Sequence, residues 1–403
     1  MPRNNLVAAI DIGTTKTVVL IGEILPERRL NIIGLGERPS AGMRKGEIFD
    51  MAAAKEIVHT AFSDAEKTAG IVGDVRHAYI SLTGPHLEGR RFVGSTSVAT
   101  GRVSRDDIER AKNDAKRRKS ADERYVVHYV RQPFFLDSKI LANAENMVGK
   151  RLEVSYWTID ADRNRLEELL HIPNDMGVHA DDLIVSSLAS AAMVADETMK
   201  RNGVLVIDIG GGSTDYALYY NGYVVQTGVI PVGGDHITND LALGLRVSRA
   251  DAEEIKIKLA RAYIGNDDEQ ATVIFQRGGS PIGGREFHRR SINAIVEARA
   301  DEIFKIIRSR LGRFGEPERV AAGAVITGGT ALLNGIDSCA ARALELNTVI
   351  GQNPDWVTEE LSGPKYSTAL GLLQYALTGR DTPAAAPAAP TGMMGALRKF
   401  LPF

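Results

Sequence analysis

The chain has 403 residues, 44% hydrophobic and 25% charged, with a formal net charge of −2. That length implies two or more domains, the composition is ordinary for a folded globular protein, and the near-neutral charge gives no whole-chain pull toward nucleic acid. The single cysteine, Cys339, excludes an intramolecular disulfide and a cysteine metal cluster and fits a reducing compartment.

The start, "MPRNNLVAAIDIG", has an apolar run of five before Asp11, too short for a signal-peptide core or a membrane span, and no stretch of about 20 apolar residues follows. Strand-like and helix-like stretches alternate, which predicts an α/β architecture. Residues 6–24 and 29–36 read as a strand meander, 51–69 as a helix, and 77–82 as a strand ending in "TGPH". "SRDDIERAKNDAKRRK" opens on an N-cap signal, Ser104 with acids behind it. "RYVVHYVRQPFFLD" and "RLEVSYWTIDA" follow as β segments, so residues 83–162 form a small strand-helix-strand-strand module inserted into a first half. The basic cluster Lys116, Arg117, Arg118, Lys119 reads as a solvated helix end, because cations favour a helix C-terminus and no aromatic residues interleave them; no nucleic-acid partner is expected.

A second half opens with "GVLVIDIGGGSTDYALY" at 203–219. Placing Asp11 over Asp208, an offset of 197 residues, makes five of the nine positions 9–17 identical: Ile10, Asp11, Ile12, Gly13 and Thr17. Such self-similarity predicts two related halves facing each other. "HITNDLALGL", "SRADAEEIKIKLARA" and "SINAIVEARADEIFKIIRSRLGRF" read as helices, and "GAVITGGTALLNGI" as a strand breaking into a Gly-Gly turn before a helix. "TGRDTPAAAPAAPTG" at 378–392 is Pro/Ala-rich, an extended semi-rigid linker, and "MMGALRKFLPF" closes the chain.

A glycine turn after a buried strand lets backbone N–H groups approach a phosphate, and two opposed turns can hold a polyphosphate from both sides. Asp11 and Asp208 at the strand ends suit a hydrated Mg²⁺, Lys16 suits the β/γ-phosphates, and Thr14, Thr15, Ser213 and Thr214 offer hydroxyls. Gly233 and Gly234 open a third, helix-starting turn, and Gly328 with Gly329 end a strand where a flat base or ribose fits. One such turn alone is an ordinary tight turn; the argument rests on four of them, two duplicated with their strands. Neither a Walker A pattern nor GxGxxG is present, which argues against a P-loop or Rossmann site.

These motifs resemble the actin, DnaK-type chaperone and sugar kinase ATPase superfamily: "AIDIGTTKT" is similar to its first phosphate motif, "VIDIGGGSTD" to its second, "AVITGGTALLNGI" to its adenosine motif, and "SSLASAAMVAD" and "KYSTALGLLQYAL" to its two hinge helices. Within it the chain resembles the FtsA family of bacterial cell-division proteins, on "VGGDHITNDLA", "AEEIKIKLARA", the position of the insert with "NMVGKRLEVSYWTI", and the linker-plus-helix tail. The resemblance implies that Gly13, Thr14, Thr15, Lys16, Gly210, Gly211, Gly212, Gly233, Gly234 and Asp235 contact phosphates of ATP. It also implies that Asp11 and Asp208 serve Mg²⁺, and that Glu253 and Lys256 take the ribose and adenine side with Gly328 and Gly329 beneath. Read on their own, Glu253 and Lys256 are an i,i+3 pair on one helix face and equally a plain surface pair. One position departs from the superfamily: where the first hinge helix often starts with a water-orienting Glu or Gln, this chain has Ser187, with Ser186 beside it, so at most a slow ATPase is expected.

In the tail, Met393, Met394, Ala396, Leu397, Phe400 and Leu401 fall in an arc of roughly 160° on a helical wheel, with Arg398 and Lys399 opposite. This fits an interfacial helix on an anionic membrane surface; a helix docked on the protein's own core is the competing reading. The domains expected are a first-half core at 1–82, 163–200 and 363–378, the insert at 83–162, a second-half core at 201–239 and 316–362, a smaller subdomain at 240–315, a linker at 379–391 and a membrane-targeting helix at 392–403. The resemblance further implies self-polymerisation, other divisome partners and the FtsZ C-terminal peptide bound by the 240–315 subdomain. The location implied is the cytoplasmic face of the cell membrane at the division site. The rival readings are an adaptor like PilM, which binds a membrane-protein peptide, and a sugar or acid kinase.

Overall fold

A computed structural model describes residues 5–117, 123–276 and 284–379. Strands β1 (Leu6–Ile12), β2 (Lys16–Leu25) and β3 (Arg29–Pro39) form an antiparallel meander. A ribbon of β4 (Met43–Arg44) and β5 (Glu47–Ile48) leads into α1 (Met51–Thr68), whose N-cap Asp50 accepts from the Ala53 N–H, and then β6 (His77–Leu82). The insert runs β7 (Glu88–Ser97), α2 (Arg105–Arg117), β8 (Arg124–Arg131), β9 (Phe134–Leu136), β10 (Lys139–Leu141) and β11 (Arg151–Asp162). The chain returns through α3 (Arg163–Asp175), β12 (His179–Val185), α4 (Ser186–Val194) and α5 (Glu197–Asn202).

The second half begins with a meander of β13 (Val204–Ile209), β14 (Thr214–Tyr220) and β15 (Tyr223–Ile230). It continues with α6 (Gly234–Leu245), α7 (Arg249–Lys258), the hairpin β16 (Thr272–Phe275) and β17 (Arg285–His288), α8 (Arg289–Leu311), β18 (Ala324–Thr327), α9 (Ile336–Leu344), β19 (Thr348–Ile350) and α10 (Ser367–Gly379).

The two halves carry one topology twice. The first sheet has the order β3-β2-β1-β6-β12 and the second β15-β14-β13-β18-β19; in each, a three-stranded antiparallel meander is extended by two strands parallel to its first. The register repeats as well. Ile12 pairs with Thr17 and Asp11 with Val18 in the first half; Ile209 pairs with Thr214 and Asp208 with Asp215 in the second. The self-similarity seen in the sequence is thus a duplicated hairpin. The parallel strands end at the same edge of each sheet, which is where open α/β sheets present their ligand sites.

Two helices join the halves. α4 and α10 cross so closely that a Cβ at Gly371 would stand 1.9 Å from the Ala189 carbonyl oxygen. The small residues of "SSLASAAMV" and "STALGLL" are what let the backbones meet, as the sequence reading expected of the hinge helices.

The insert contains more strand than the sequence suggested. Pro133, which has no N–H to give a ladder, divides "RYVVHYVRQPFFLD" into β8 and β9, and β10 folds back on β9. The Ser104 cap forms as a reciprocal pair: the Asp107 N–H donates to the Ser104 hydroxyl at 3.2 Å, and the Ser104 N–H to the Asp107 carboxylate at 2.8 Å. Of the basic cluster, Lys116 lies over the Tyr129 ring, 5.5 Å from its centroid; Arg118 and Lys119 fall outside the described residues. So, apart from Gly379, do the residues of the expected linker and tail helix. No helix among the described residues is long and apolar enough to cross a membrane.

One core carboxyl opposes the fold at neutral pH. Burial pushes Asp182 of β12 up to about 8, with the neighbouring Asp181 charge adding to the shift and a hydrogen bond from the Leu183 N–H opposing it. The folded state therefore holds a proton that the unfolded chain releases near pH 4, so this residue's contribution to stability falls as pH rises from about 4 to about 8. Asp182→Asn keeps the acceptor and removes the titration. We expect it to raise Tm by about 2–5 °C at pH 8 and by less at pH 5, read by calorimetry at both pH values; an equal or larger gain at pH 5 contradicts this.

Candidate functional site

A cleft of about 330 Å³ opens between the halves at the strand ends. Its floor is built from the duplicated turns. In the first, the Gly13 N–H donates to the Lys16 carbonyl at 3.0 Å; in the second, the Gly210 N–H donates to the Ser213 carbonyl at 2.9 Å, the same turn 197 residues on. The turns face each other and touch: a Cβ at Gly211 would stand 1.7 Å from the Thr15 hydroxyl, and one at Gly212 2.4 Å from the Thr14 hydroxyl. Only glycine fits on that side of the seam.

Three carboxylates lie beneath. Asp11 is raised above the ordinary carboxylate range by burial, offset by its bond with Ser81 and by the Lys16 charge. Asp208 is pushed up to about 6 by burial and the nearby Asp11, against the Thr368 hydroxyl, which donates to it at 2.7 Å. Asp215, on β14 opposite Asp208, is raised well above its usual value by burial and by Asp208. The Thr83 hydroxyl reaches across from the first half to the two Asp215 oxygens, at 2.8 and 2.7 Å. Burial thus opposes ionisation of all three acids, and a cation placed among them would favour it. Among the described residues no group of three or more His, Cys, Asp or Glu converges to hold a metal directly. The donor set fits a hard cation that keeps its waters.

Lys16 is the cation nearest these acids. Its ammonium donates to the Lys365 carbonyl at 2.5 Å and lies 4.5 Å from the Tyr366 ring centroid, and burial lowers its pKa. The far end of the cleft is apolar: Ile257 and Leu332, 70% and 64% exposed, line it with Leu333. Exposed aliphatic side chains on a slot of this size suit a flat ring. Lys256 bonds to Glu253 at 2.7 Å and to the Gly234 carbonyl at 3.2 Å. The pair is therefore a linked i,i+3 couple that also lines the cleft.

Of the residues named from sequence, Asp11, Gly13, Thr14, Thr15, Lys16, Asp208, Gly210, Gly211, Gly212, Ser213, Asp235, Glu253, Lys256, Gly328 and Gly329 line the cleft. Gly233 and Gly234 sit behind it: the Gly234 and Asp235 N–H groups donate to the Gly210 and Gly211 carbonyls, so the start of α6 braces the second turn with these donors. Thr214 is fully buried and donates to the Val232 carbonyl, away from the cleft. Ser187 points into the core with its hydroxyl unpartnered; Ser186 is the hinge-helix serine that lines the cleft. Sequence reading missed Thr83, Asp215, Thr330, Lys365 and Thr368. Asp215 had a signal, the second aspartate of "IDIGGGSTD", but Lys365 and Thr368 reach the cleft only because α10 starts there.

Comparisons with known proteins agree with this architecture. A family model described as "Cell division protein FtsA" matches residues 205–371, and one described as "SHS2 domain inserted in FTSA" matches residues 84–159. The chain is 31% identical to the cell division protein FtsA of Pseudomonas aeruginosa, over 92% of this chain and 89% of that protein. It is 32% identical to FtsA of Escherichia coli (92% and 90% covered) and 32% identical to FtsA of Bacillus subtilis (93% and 84%). Among solved structures it is similar to a PilM–PilN type IV pilus biogenesis complex, with TM-score 0.63, 17% identity, and 93% and 99% of the two chains covered. It is also similar to MreB5 of Spiroplasma citri bound to ADP, with TM-score 0.54, 16% identity, and 94% and 98% covered. At these identities the structural likenesses establish the fold, an actin-like ATPase fold.

The Thr83–Asp215 contact ties the first half to a buried acid of the second beneath the turns. Thr83→Val removes the close donor to that acid and leaves it the Ser213 hydroxyl at 3.4 Å, a loss of about 1 kcal/mol for one buried hydrogen bond. Thr83→Ser restores the hydroxyl. The expected result is a lowered Tm for Val and a near-parental one for Ser in thermal melts; equal melting of all three shows the bond to be dispensable.

Proposed function

The chain belongs to the FtsA family of cell-division proteins, and from that premise we propose that it binds ATP with Mg²⁺ between its halves, polymerises on the cytoplasmic face of the cell membrane at the division site, and tethers FtsZ there. The observation that carries the nucleotide reading is the pair of duplicated Asp-Gly turns meeting across one cleft. Backbone N–H groups and Lys16 supply attraction for phosphates, and the apolar wall of Ile257, Leu332 and Leu333 supplies a slot for the base. Asp11 and Asp208 hold the hydrated Mg²⁺, which neutralises phosphate charge. Hydrolysis is slow, because Ser186, the hinge serine in the cleft, can neither take a proton as a carboxylate does nor orient water as an amide does.

Attachment rests on the tail. On a helical wheel of the sequence, Leu397, Phe400 and Leu401 fall with Met393 and Met394 on an apolar arc, with Arg398 and Lys399 opposite. Each large side chain, if fully buried, contributes roughly 1.5–3 kcal/mol, and each cation about 1 kcal/mol on an anionic surface. Helix ordering subtracts several kcal/mol, so one copy binds weakly and a filament binds well through its many copies. The FtsZ C-terminal peptide docks on the 240–315 subdomain, with other divisome proteins joining the assembly; this part follows from family membership.

Two measurements test the reading. Lys16→Ala, which adds no atoms to the seam, should weaken fluorescent-ATP binding at least about tenfold, a 1.4 kcal/mol loss, and Gly211→Asp, which puts a carboxylate at the phosphate end, should abolish it; parental affinity in both removes the cleft assignment. In liposome flotation, Phe400→Glu should release the protein at any salt, while Arg398→Ala should only weaken it, as high salt does. Flotation of Phe400→Glu at the parental level moves the anchor elsewhere.

A further inference from the structure

Behind Lys16 stands a carboxylate that does not itself line the cleft, Glu37 of β3. Gly34 and Gly36 of the same strand lie under α1, where a Cβ would meet the Ala65 and Ala61 carbonyls. Alternation along the strand therefore turns Glu37 to the opposite face of the sheet. Lys16 pairs with Pro39 and Val18 with Glu37, so Lys16 and Glu37 are diagonal neighbours on that face. α10 covers it: Gly22, on the same face of β2 as Lys16, lies against Leu373.

The two residues are joined through the turn Pro364–Tyr366 that leads into α10. The Lys16 ammonium donates to the Lys365 carbonyl at 2.5 Å and lies 4.5 Å from the Tyr366 ring centroid, so residues 365 and 366 are its seat. Glu37 grips the side chains of the same two residues. The Tyr366 hydroxyl donates to it at 2.6 Å, and the Lys365 ammonium donates to its two oxygens at 3.3 and 3.2 Å. Against burial, which raises its pKa, the Tyr366 bond and the Lys16 and Lys365 charges hold Glu37 below the ordinary carboxylate range, so it stays ionised. The turn is tied to the second half as well, since the Pro364 carbonyl accepts from the Gly328 N–H and the Thr327 hydroxyl at 3.1 Å each.

A lysine carries its charge on a flexible four-carbon stem, and a stem ordered only when the ligand arrives subtracts from affinity. Lys16 is ordered beforehand, on a seat whose two parts Glu37 holds. An ammonium has three donors, so with one on the Lys365 carbonyl two remain for an anion in the cleft that Lys16 lines.

We propose that Glu37 is a positioning residue for phosphate binding: it fixes Lys365 and Tyr366 as the seat of Lys16, and reaches the β- and γ-phosphates only through Lys16. This rests on the nucleotide reading of the cleft. It gives a surface-lying acid on an outer strand of the first half a role in affinity without any contact to the ligand.

Equilibrium dialysis of the full chain with Mg-ATP, and separately with AMP, tests it. Glu37→Ala should bind ATP about tenfold more weakly and AMP, which lacks the β- and γ-phosphates, within about twofold of the parent. Added to Lys16→Ala, it should weaken ATP binding no further than about twofold, because the group it acts through is gone. Tyr366→Phe keeps the ring under Lys16 and removes only the hydroxyl that Glu37 accepts; it should show the same ATP-only loss at about threefold, the size of one hydrogen bond, and carries the test if Glu37→Ala does not fold. Parental ATP affinity in these variants, an equal loss for ATP and AMP, or a further loss on top of Lys16→Ala overturns the positioning role and leaves the nucleotide site standing. A parent that retains neither ATP nor AMP removes the nucleotide reading and this proposal with it.

Discussion

Everything else in this molecule hangs on the crossing of α4 and α10. The two helices meet with the Ala189 carbonyl against the Gly371 backbone, too close for even a methyl group. That contact helps set how far apart the two sheets stand, and hence whether turns 197 residues apart can face each other. α10 runs from this crossing with its first turn in the cleft, where Thr368 bonds to Asp208. The helix that joins the halves therefore also contributes to the site between them.

With the spacing set, the cleft is defined by what the two strand ends carry. A buried strand that ends on an aspartate places an acid where burial opposes its ionisation. Duplication places Asp11 and Asp208 in equivalent positions, and β14 adds Asp215, so carboxylates accumulate on one floor with Lys16 as the nearest cation. Hydroxyls from Ser81, Thr83 and Thr368 satisfy these acids without neutralising them. An arrangement of this kind makes the acids costly to ionise on their own and less so beside a cation, which is what supports the proposed Mg²⁺–ATP reading.

The insert gives this fold its individual character. Its sheet is small, but it reaches both halves, through His128 and Arg124 on one side and Trp157 and Gln132 on the other.

The sequence by itself determined the parts whose physics is local. Alternating apolar runs marked the strands of both sheets, Ser104 and its acids marked a helix start, and the repeated "IDIG" exposed the duplication, because each signal lies within a few residues of the structure it specifies. The glycine turns, Asp11, Asp208 and Lys16 were legible for the same reason. What needed the tertiary structure was every feature set by approach between distant segments. Ser186 rather than Ser187 faces the cleft because the pitch of α4 at the crossing turns it there. Lys365 and Thr368 enter the site because α10 begins beside it, and the N–H groups of Gly234 and Asp235 brace the second turn because that turn's carbonyls lie within hydrogen-bond reach. Trp157 finds Thr227 across 70 residues because the insert folds back on β15. None of these has a local sequence signature; each depends on distances that exist only once the two halves are packed on one pair of helices.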